Sequence, residues 1–598
     1  MTAPSWDLSI AFQSLQDPKL KQTISQLEQQ IADFPQLDSD ATVSQLQHAI
    51  LMKEAITVNL ATVASYANCI ASVDSANNEA KALVNHMTKL GSALSQVFSP
   101  FLDSIVNSPL EQFEQIISEN EELNAHRFLL EEERKLVENR LSVKEEQLLS
   151  AMSVDGKNAW GKLYDNITGS MKVTLELADG TEEVMGLSQA ASILYGSDTL
   201  RREPAWRAIQ QGMKQNQESF SAILNALAGW RLTEYQKRSK EKSVHFLEPS
   251  LHGSRIEQTT LDSMMSVAKK NREVGQKAGR LMAKMFGTEQ LTPWDQLASM
   301  PPLVGDASNY SFDEAIDIIK DAFSGVSQEM ADFVDVMVKN GWIDAAPQET
   351  KRLGAYCTKF ADSRTPLVFM TWGNSMSDVL TLAHELGHAF HNWVMRDMPL
   401  CTTRYPMTLA ETASIFAENV VRDALLAKAK TKEDKIEMLW EELSSALALT
   451  INIPVRYEFE KAFYEQRSSK ELGAEDLSEL MRVTWEEWYG NSMSEADSLF
   501  WASKLHFSIP EVSFYNYPYL FGYLFSIGVY AQREAKGADF YGDYINLLRD
   551  TGTMRAEEVV QKHLQMDLTQ ETFWQQSLDR VSNQIDEFER LINTILDK

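Results

Sequence analysis

Apolar side chains recur three and four residues apart along most of this chain, the spacing of one helical face. The stretches 40–73, "DATVSQLQHAILMKEAITVNLATVASYANCIASV", and 108–153, which ends "RKLVENRLSVKEEQLLSAMS", both read this way. In the second the opposite face is charged. The apolar spacing drifts off a strict heptad, so packing faces fit better than a coiled coil. Ser142 and Glu145 stand in capping-box register and predict that a helix restarts there. Strand signals are few. Residues 170–187 alternate on both sides of Asp179-Gly180, a hairpin turn pair. Residues 354–372, "GAYCTKFADSRTPLVFMTW", give two β-rich runs joined by a polar turn. Prolines and small polar residues over 287–311 predict an ordered loop between helices.

The pattern thus predicts a mainly α protein in three stretches. These are an N-terminal helical region (1–110), a helical segment carrying a β-hairpin (111–200), and a large helical region with one small sheet (201–598). A chain of 598 residues exceeds one ordinary core. No apolar run approaches the length that spans a bilayer. The nearest, 443–455, reads as a buried helix. The N-terminus lacks the basic and apolar regions of a secretory signal. A net charge of −29 disfavours nucleic acid and anionic membrane as partners. Three cysteines, none in a CxxC pair, form no disulfide framework. The expectation is a cytoplasmic protein.

Chemistry concentrates in "TLAHELGHAFH", which carries three of the ten histidines. Ser377 precedes an apolar-periodic run and is the expected N-cap. On that helix His384 and His388 are i and i+4, so their imidazoles point the same way and suit two corners of a zinc tetrahedron. Glu385 lies about 100° round the helix, placed to reach a water on the metal as general base rather than to ligate. Two buried histidines and a glutamate need polar partners, and a metal supplies them together. His391 reads as a polar residue near the helix end. A third ligand is expected from "YPMTLAETASIFAENVV", where Pro406 and Thr408 mark a helix start. Glu411 and Glu418 share one face there. Thr408 and Glu411 also fit a capping box, so spacing leaves both glutamates open.

"HELGHAFH" followed by "LAETASIFAE" resembles the M3 family of zinc oligopeptidases, in its oligoendopeptidase F branch. "HRFLLEEERKLVENRLSVKEEQLL", "REPAWRAI", "LTPWDQLASMPPL", "KRLGAYCTKF" and "FYNYPYLFGYLFS" carry the resemblance over most of the chain from about residue 110. It implies that 201–598 is an M3-like catalytic domain and 111–200 the branch's N-terminal-like segment. The implied fold is a large, two-lobed helical ellipsoid. It has a deep substrate channel, and the small sheet lies beside the HExxH helix. The resemblance makes Glu411 the third ligand of one Zn²⁺ per chain and gives Glu418 the role of orienting a ligand histidine. It also assigns oxyanion stabilisation to Tyr523, helped by His506.

Within the aromatic stretch 506–530, Phe514, Phe521 and Phe525 read as core. Tyr515, Tyr517 and Tyr519 are candidates for the substrate groove. Residues 368–373 are the expected edge strand for pairing with substrate backbone. The function implied is a zinc endopeptidase that cuts short unfolded oligopeptides with Glu385 as general base. Two alternatives remain. A zinc (dipeptidyl) carboxypeptidase needs a cation for the substrate C-terminus, and Arg404 is the candidate. A non-catalytic, peptide-binding helical protein would have little use for Glu385.

Overall fold

Helices begin where a short polar side chain takes up the first free amides. In the computed structural model, which describes residues 3–37, 41–240, 242–302 and 309–596, Ser142 and Glu145 form the expected capping box. Ser142 N donates to Glu145 Oε2 at 2.9 Å, and Glu145 N donates to Ser142 Oγ at 3.4 Å. Ser311 and Glu314 repeat the arrangement at the start of Phe312–Ser324. Each such cap is worth about 1 kcal/mol. The chain is mainly helical, with a two-stranded and a three-stranded sheet, and divides into two compact units. Residues 287–311 lie between the helices Glu273–Met285 and Phe312–Ser324 as expected, although 303–308 fall outside the described residues.

The first unit comprises Met1–Val137, Ala307–Lys428 and Val529–Met566. Helices Val43–Val73 and Asn78–Asn107 pack along one another. Leu46, Ile50, Val63 and Tyr66 of the first meet Leu94, Phe98 and Phe101 of the second in one apolar cluster. Val43–Val73 is also long and apolar enough to cross a membrane by length and composition, contrary to the sequence expectation of no such run. Phe360 and Leu367 extend the cluster into the three-stranded sheet. Its strands are β3 (Ile343–Asp344), β4 (Tyr356–Phe360) and β5 (Thr365–Phe369), numbered after the hairpin strands β1 (Lys172–Glu176) and β2 (Glu182–Gly186). The order is β3-β5-β4, with β3 parallel and β4 antiparallel to β5. All five β5 residues are buried, which matches an uninterrupted TPLVF run covered on both faces. The expected edge strand is therefore corrected: the 365–369 strand is central, because β3 takes the side that was assigned to substrate. The outer strands are β3 and β4, of which β4 is the longer.

The second unit comprises Glu138–Asp306, Ala429–Gly528 and Asp567–Lys598. β1 and β2 form the expected hairpin, with Gly180 at φ 82° in its turn. It packs on the 40-residue helix Thr199–Arg238. Residues 443–455 are mostly buried, although Ala448 is exposed, and they run as three pieces: the end of Lys432–Leu447, a π turn at Ala448–Asn452, and the start of Ile453–Arg467. The loop before the last aromatic helix is held from inside. Arg231, 5% exposed, donates to the carbonyls of Ile509, Pro510 and Val512 and to the Tyr464 hydroxyl. Phe514 sits at φ 55°, a costly conformation for an aromatic residue, and its N–H donates to buried Glu460 at 2.8 Å. Burial pushes the Glu460 carboxyl up to about 7, against the pull of that bond and of Arg231.

Two outcomes follow. Gly387 lies where helix Met376–Val394 crosses Thr412–Lys428, and a Cβ there would stand 2.6 Å from Ser414 Cα and closer still to the Ala413 carbonyl oxygen. Both obstacles are backbone, so Gly387→Ala should destabilise the chain by about 1–3 kcal/mol. A lowered urea midpoint at unchanged m-value checks this. The second concerns Glu460. From pH 4.5, its unfolded value, to about 7 the unfolded chain releases a proton that the fold retains. Stability from this group therefore falls as pH rises through that window. Glu460→Gln keeps an acceptor for Phe514 N–H and removes the titration. Its stability relative to the unsubstituted chain should rise between pH 5 and pH 8, read from denaturation midpoints at both.

Candidate metal centre and substrate residues

The histidine helix runs Met376–Val394, and its N-cap is Ser375 rather than the expected Ser377. Ser375 has the reciprocal partner: Asp378 N donates to Ser375 Oγ at 3.1 Å, and Ser375 N donates to Asp378 Oδ2 at 2.8 Å. Ser377 falls in the first turn. One face then carries His384 and His388, with ring centroids 4.9 Å apart and planes at 82°. The chain returns through a four-residue helix, Met407–Ala410, breaks at Glu411, and continues as Thr412–Lys428. Thr408 lies inside the short helix instead of capping the long one, so the capping-box reading of Glu411 does not hold. Ser414 Oγ donates to Glu411 Oε2 at 2.7 Å and steadies it.

The break aims Glu411 at both imidazoles. Its Oε2 is 3.3 Å from His384 Nε2 and 3.4 Å from His388 Nε2. Donors bound at about 2.0–2.1 Å to one tetrahedral zinc stand about 3.3 Å apart. The two nitrogens and one oxygen thus match a zinc ligand set in chemistry and in spacing. On the far side of the ring, His384 Nδ1 is 3.3 Å from Glu418 Oε2, and Glu418 Oε1 is 3.5 Å from Arg422. Burial would drive His384 toward neutrality, but hydrogen bonds and charge from Glu411 and Glu418 override it and hold the imidazole well above its usual 6.5. Burial likewise raises Glu411, and the two histidines override it downward. Concentrated negative charge is what a cation would meet here.

Glu385 is 5% exposed, and its Oε2 is buried without a hydrogen-bond partner. Burial raises its carboxyl, with His384 and His388 pulling the other way. A buried carboxylate oxygen is costly to leave unmatched unless a ligand or water completes it. His391 is elsewhere: it stacks on Tyr405 at 4.2 Å, and its Nε2 lies 2.9 Å from Thr551 Oγ1. Arg404 is exposed. A second cluster in this unit, Glu54, His126 and Cys401, also brings ligand-type atoms together. Lys53, Arg364 and Arg404 direct positive charge at it, which disfavours a cation.

The remaining residues singled out in the sequence belong to the second unit. His506, Tyr515 and Tyr519 form one cluster, with rings 5.7, 6.0 and 5.8 Å apart, and all three are partly exposed. Tyr517 is fully buried, and its hydroxyl meets Ser250 and Ser254 at 3.0 and 2.9 Å, so its phenol serves the core of this unit. Tyr523 is 3% exposed and donates to buried Glu442. Phe514, Phe521 and Phe525 are core residues, as expected. Sequence reasoning passed over Arg456 and Lys504. An arginine set between the apolar residues of "INIPVRYEF" was the available signal.

The model of peptidase family M3 matches residues 192–580, and that of oligopeptidase F matches 105–172. The chain is 22% identical over 553 residues to oligopeptidase PepF of Bacillus subtilis, covering 92% of this chain and 81% of the relative. It is 23% identical over 451 residues to group B oligopeptidase PepB of Streptococcus agalactiae, covering 73% and 71%. Among solved structures, a Chlamydophila abortus protein described as a peptidase superposes with a TM-score of 0.82 at 20% identity, covering 99% of this chain and all of that one. Oligoendopeptidase-F from Enterococcus faecium gives 0.69 at 19% identity, covering 96% and 98%. With a family model spanning well over half its length and a mainly helical fold shared with oligoendopeptidase F, this chain belongs to peptidase family M3 and is a metallopeptidase.

Proposed function

We propose that the chain is a zinc-dependent endopeptidase acting on internal bonds of short, unfolded oligopeptides in a reducing, cytoplasmic setting. The carrying observation is that Glu411 Oε2 lies 3.3 Å from His384 Nε2 and 3.4 Å from His388 Nε2. These three residues would hold one Zn²⁺ per chain. Bound there, the ion supplies Lewis acidity to the scissile carbonyl and to water. Glu418 fixes the His384 ring through Nδ1, so that Nε2 faces inward. Glu385 accepts the proton of the attacking water and delivers it to the leaving amine. Its buried, unmatched oxygen and raised carboxyl suit a group that alternates between the two states.

The developing oxyanion needs a further donor. Tyr523 is only 3% exposed, whereas Tyr519 and Tyr515 stand partly exposed beside His506. We therefore assign the donor to Tyr519, with His506 as its neighbour and Tyr515 as a substrate contact. Tyr517 and Tyr523 keep core roles. Main-chain pairing with substrate is assigned to the outer strand β4 rather than to 368–373.

Two measurements test this reading. Glu385→Gln should lower kcat on a quenched-fluorescent peptide by about a hundred- to ten-thousandfold, while elemental analysis still finds one zinc per chain. Full activity in that variant removes Glu385 as the base, and absence of zinc from the unsubstituted protein removes the metal centre. Tyr519→Phe should cost about a hundred- to a thousandfold in kcat with little change in KM, whereas Tyr523→Phe should act mainly on stability. The reverse pattern returns the oxyanion role to Tyr523.

A further inference from the structure

Among the described residues, the second unit holds two cations that no acid neutralises closely. Arg456 is partly buried in helix Ile453–Arg467. Its Nε donates to Asn452 Oδ1 at 2.9 Å and its Nη1 to Asn516 Oδ1 at 3.2 Å, both neutral amides. The phenols of Tyr489, Tyr519 and Tyr195 are its other polar surroundings. Lys504 shares an aromatic support with it. The guanidinium lies 5.2 Å and the ammonium 4.8 Å from the centre of the same Phe500 ring. The nearest acid to Lys504, Asp497, is buried and takes the Gln210 amide at 3.0 Å. Burial, reinforced by Arg456, pulls the Lys504 ammonium down to about 8, and burial pulls Arg456 to about 10.

Next to this pair is His506. Burial first, then the two cations, push its imidazole down to about 4, so at neutral pH it is an uncharged donor and acceptor. Its Nδ1 is buried with no hydrogen-bond partner. In a chain of net charge −29, two adjacent cations with neutral partners are a costly local excess. A guanidinium beside an ammonium, backed by an unsatisfied imidazole nitrogen, is completed by an anion of carboxylate shape.

We propose that Arg456 and Lys504 form an anion subsite that takes a carboxylate of the bound peptide. This rests on the reading of the His506–Tyr515–Tyr519 cluster as substrate-contacting, and it defines the substrate class as peptides that present a carboxylate to that cluster. Two sources share this chemistry, the C-terminal carboxylate and an Asp or Glu side chain.

Three matched peptides separate them on the zinc-loaded full-length protein: a free acid without acidic residues, its C-terminal amide, and the amide with one Glu introduced at successive positions. Each is measured as a substrate and, with the scissile amide N-methylated, as a non-hydrolysed ligand by calorimetry. A carboxylate-bearing peptide should be favoured over the plain amide by about tenfold or more, carried by KM. Preference for the free acid alone identifies the C-terminus, and preference that follows the Glu identifies a side chain. In Arg456→Gln and, separately, Lys504→Met the preference ratio should fall to within about twofold of one. Because the ratio is internal to each protein, loss of folded material does not imitate it. A ratio near one for all peptides in the unsubstituted protein, or the full ratio in both variants, overturns the subsite. A preserved binding ratio with no hydrolysis of any peptide would instead sink the peptidase reading and leave the subsite standing.

Discussion

Two helices touching backbone to backbone at Gly387 set the geometry on which the candidate metal centre depends. Gly387 sits one residue before His388, and its missing side chain lets the Ala413–Ser414 backbone come within contact of the histidine helix. Glu411 is two residues before that contact, at the break between two helical pieces. A helix continuing through 411 would direct its carboxylate by the regular 100° step. The break frees it to meet both imidazoles from one side. The small residue, the close crossing and the interrupted helix are therefore one device. Together they bring an oxygen from one helix to two nitrogens on another at the spacing of a shared ligand sphere.

That arrangement confines negative charge in a buried place, which a protein accepts only if something answers it. Glu411 and Glu418 are answered in part by His384 and His388, and Glu418 also by Arg422. Glu385, one position along the helix from His384, points away from this exchange and keeps an unmatched oxygen. The candidate ligands and the candidate base thus differ in more than position. His384 and Glu411 each favour the charged form of the other, whereas burial raises the Glu385 carboxyl. One helical turn carries both behaviours because consecutive residues face about 100° apart.

Much of this was legible because it depends on short-range pattern. The i, i+4 histidines, the Ser142 cap and the Asp179-Gly180 hairpin follow from local periods and local hydrogen bonds. One failure was a local choice between neighbours, and the others turn on a partner distant in sequence. Ser375 and Ser377 both suit an N-cap, and only the reciprocal bond to Asp378 separates them. The 354–372 hairpin was visible, but its central strand was not, because the third strand comes from Ile343–Asp344. The phenols of 515–523 alternate too quickly for composition to say which are core. Glu442, Ser250 and Ser254 decide it, the nearest of them 81 residues away. The family resemblance pointed to Glu411 where spacing left two glutamates open. It also drew attention to Tyr523, which in this fold is occupied elsewhere.

The loop that carries Tyr515 shows how the second unit makes phenols dependable without regular structure. A donor aimed at a developing charge is effective only if it need not reorganise when the charge appears. Residues 508–516 have few ladder bonds of their own, so their order comes from beneath. Arg231 gathers three consecutive-region carbonyls that a loop would otherwise turn to water, and Glu460 fixes the amide of a residue bent into the left-handed region. The strain at Phe514 is offset because its ring packs against Phe246, Tyr457 and Tyr464. Tyr515 directly follows this fixed point, and Asn516 next to it is held by Arg456. The same guanidinium therefore anchors the loop through its amide partner while its charge remains without a close acid. A side chain that both orders the loop bearing Tyr515 and presents positive charge would couple the placement of that phenol to the capture of an anion, and that coupling would be lost if Arg456 were paired with a carboxylate of the protein itself.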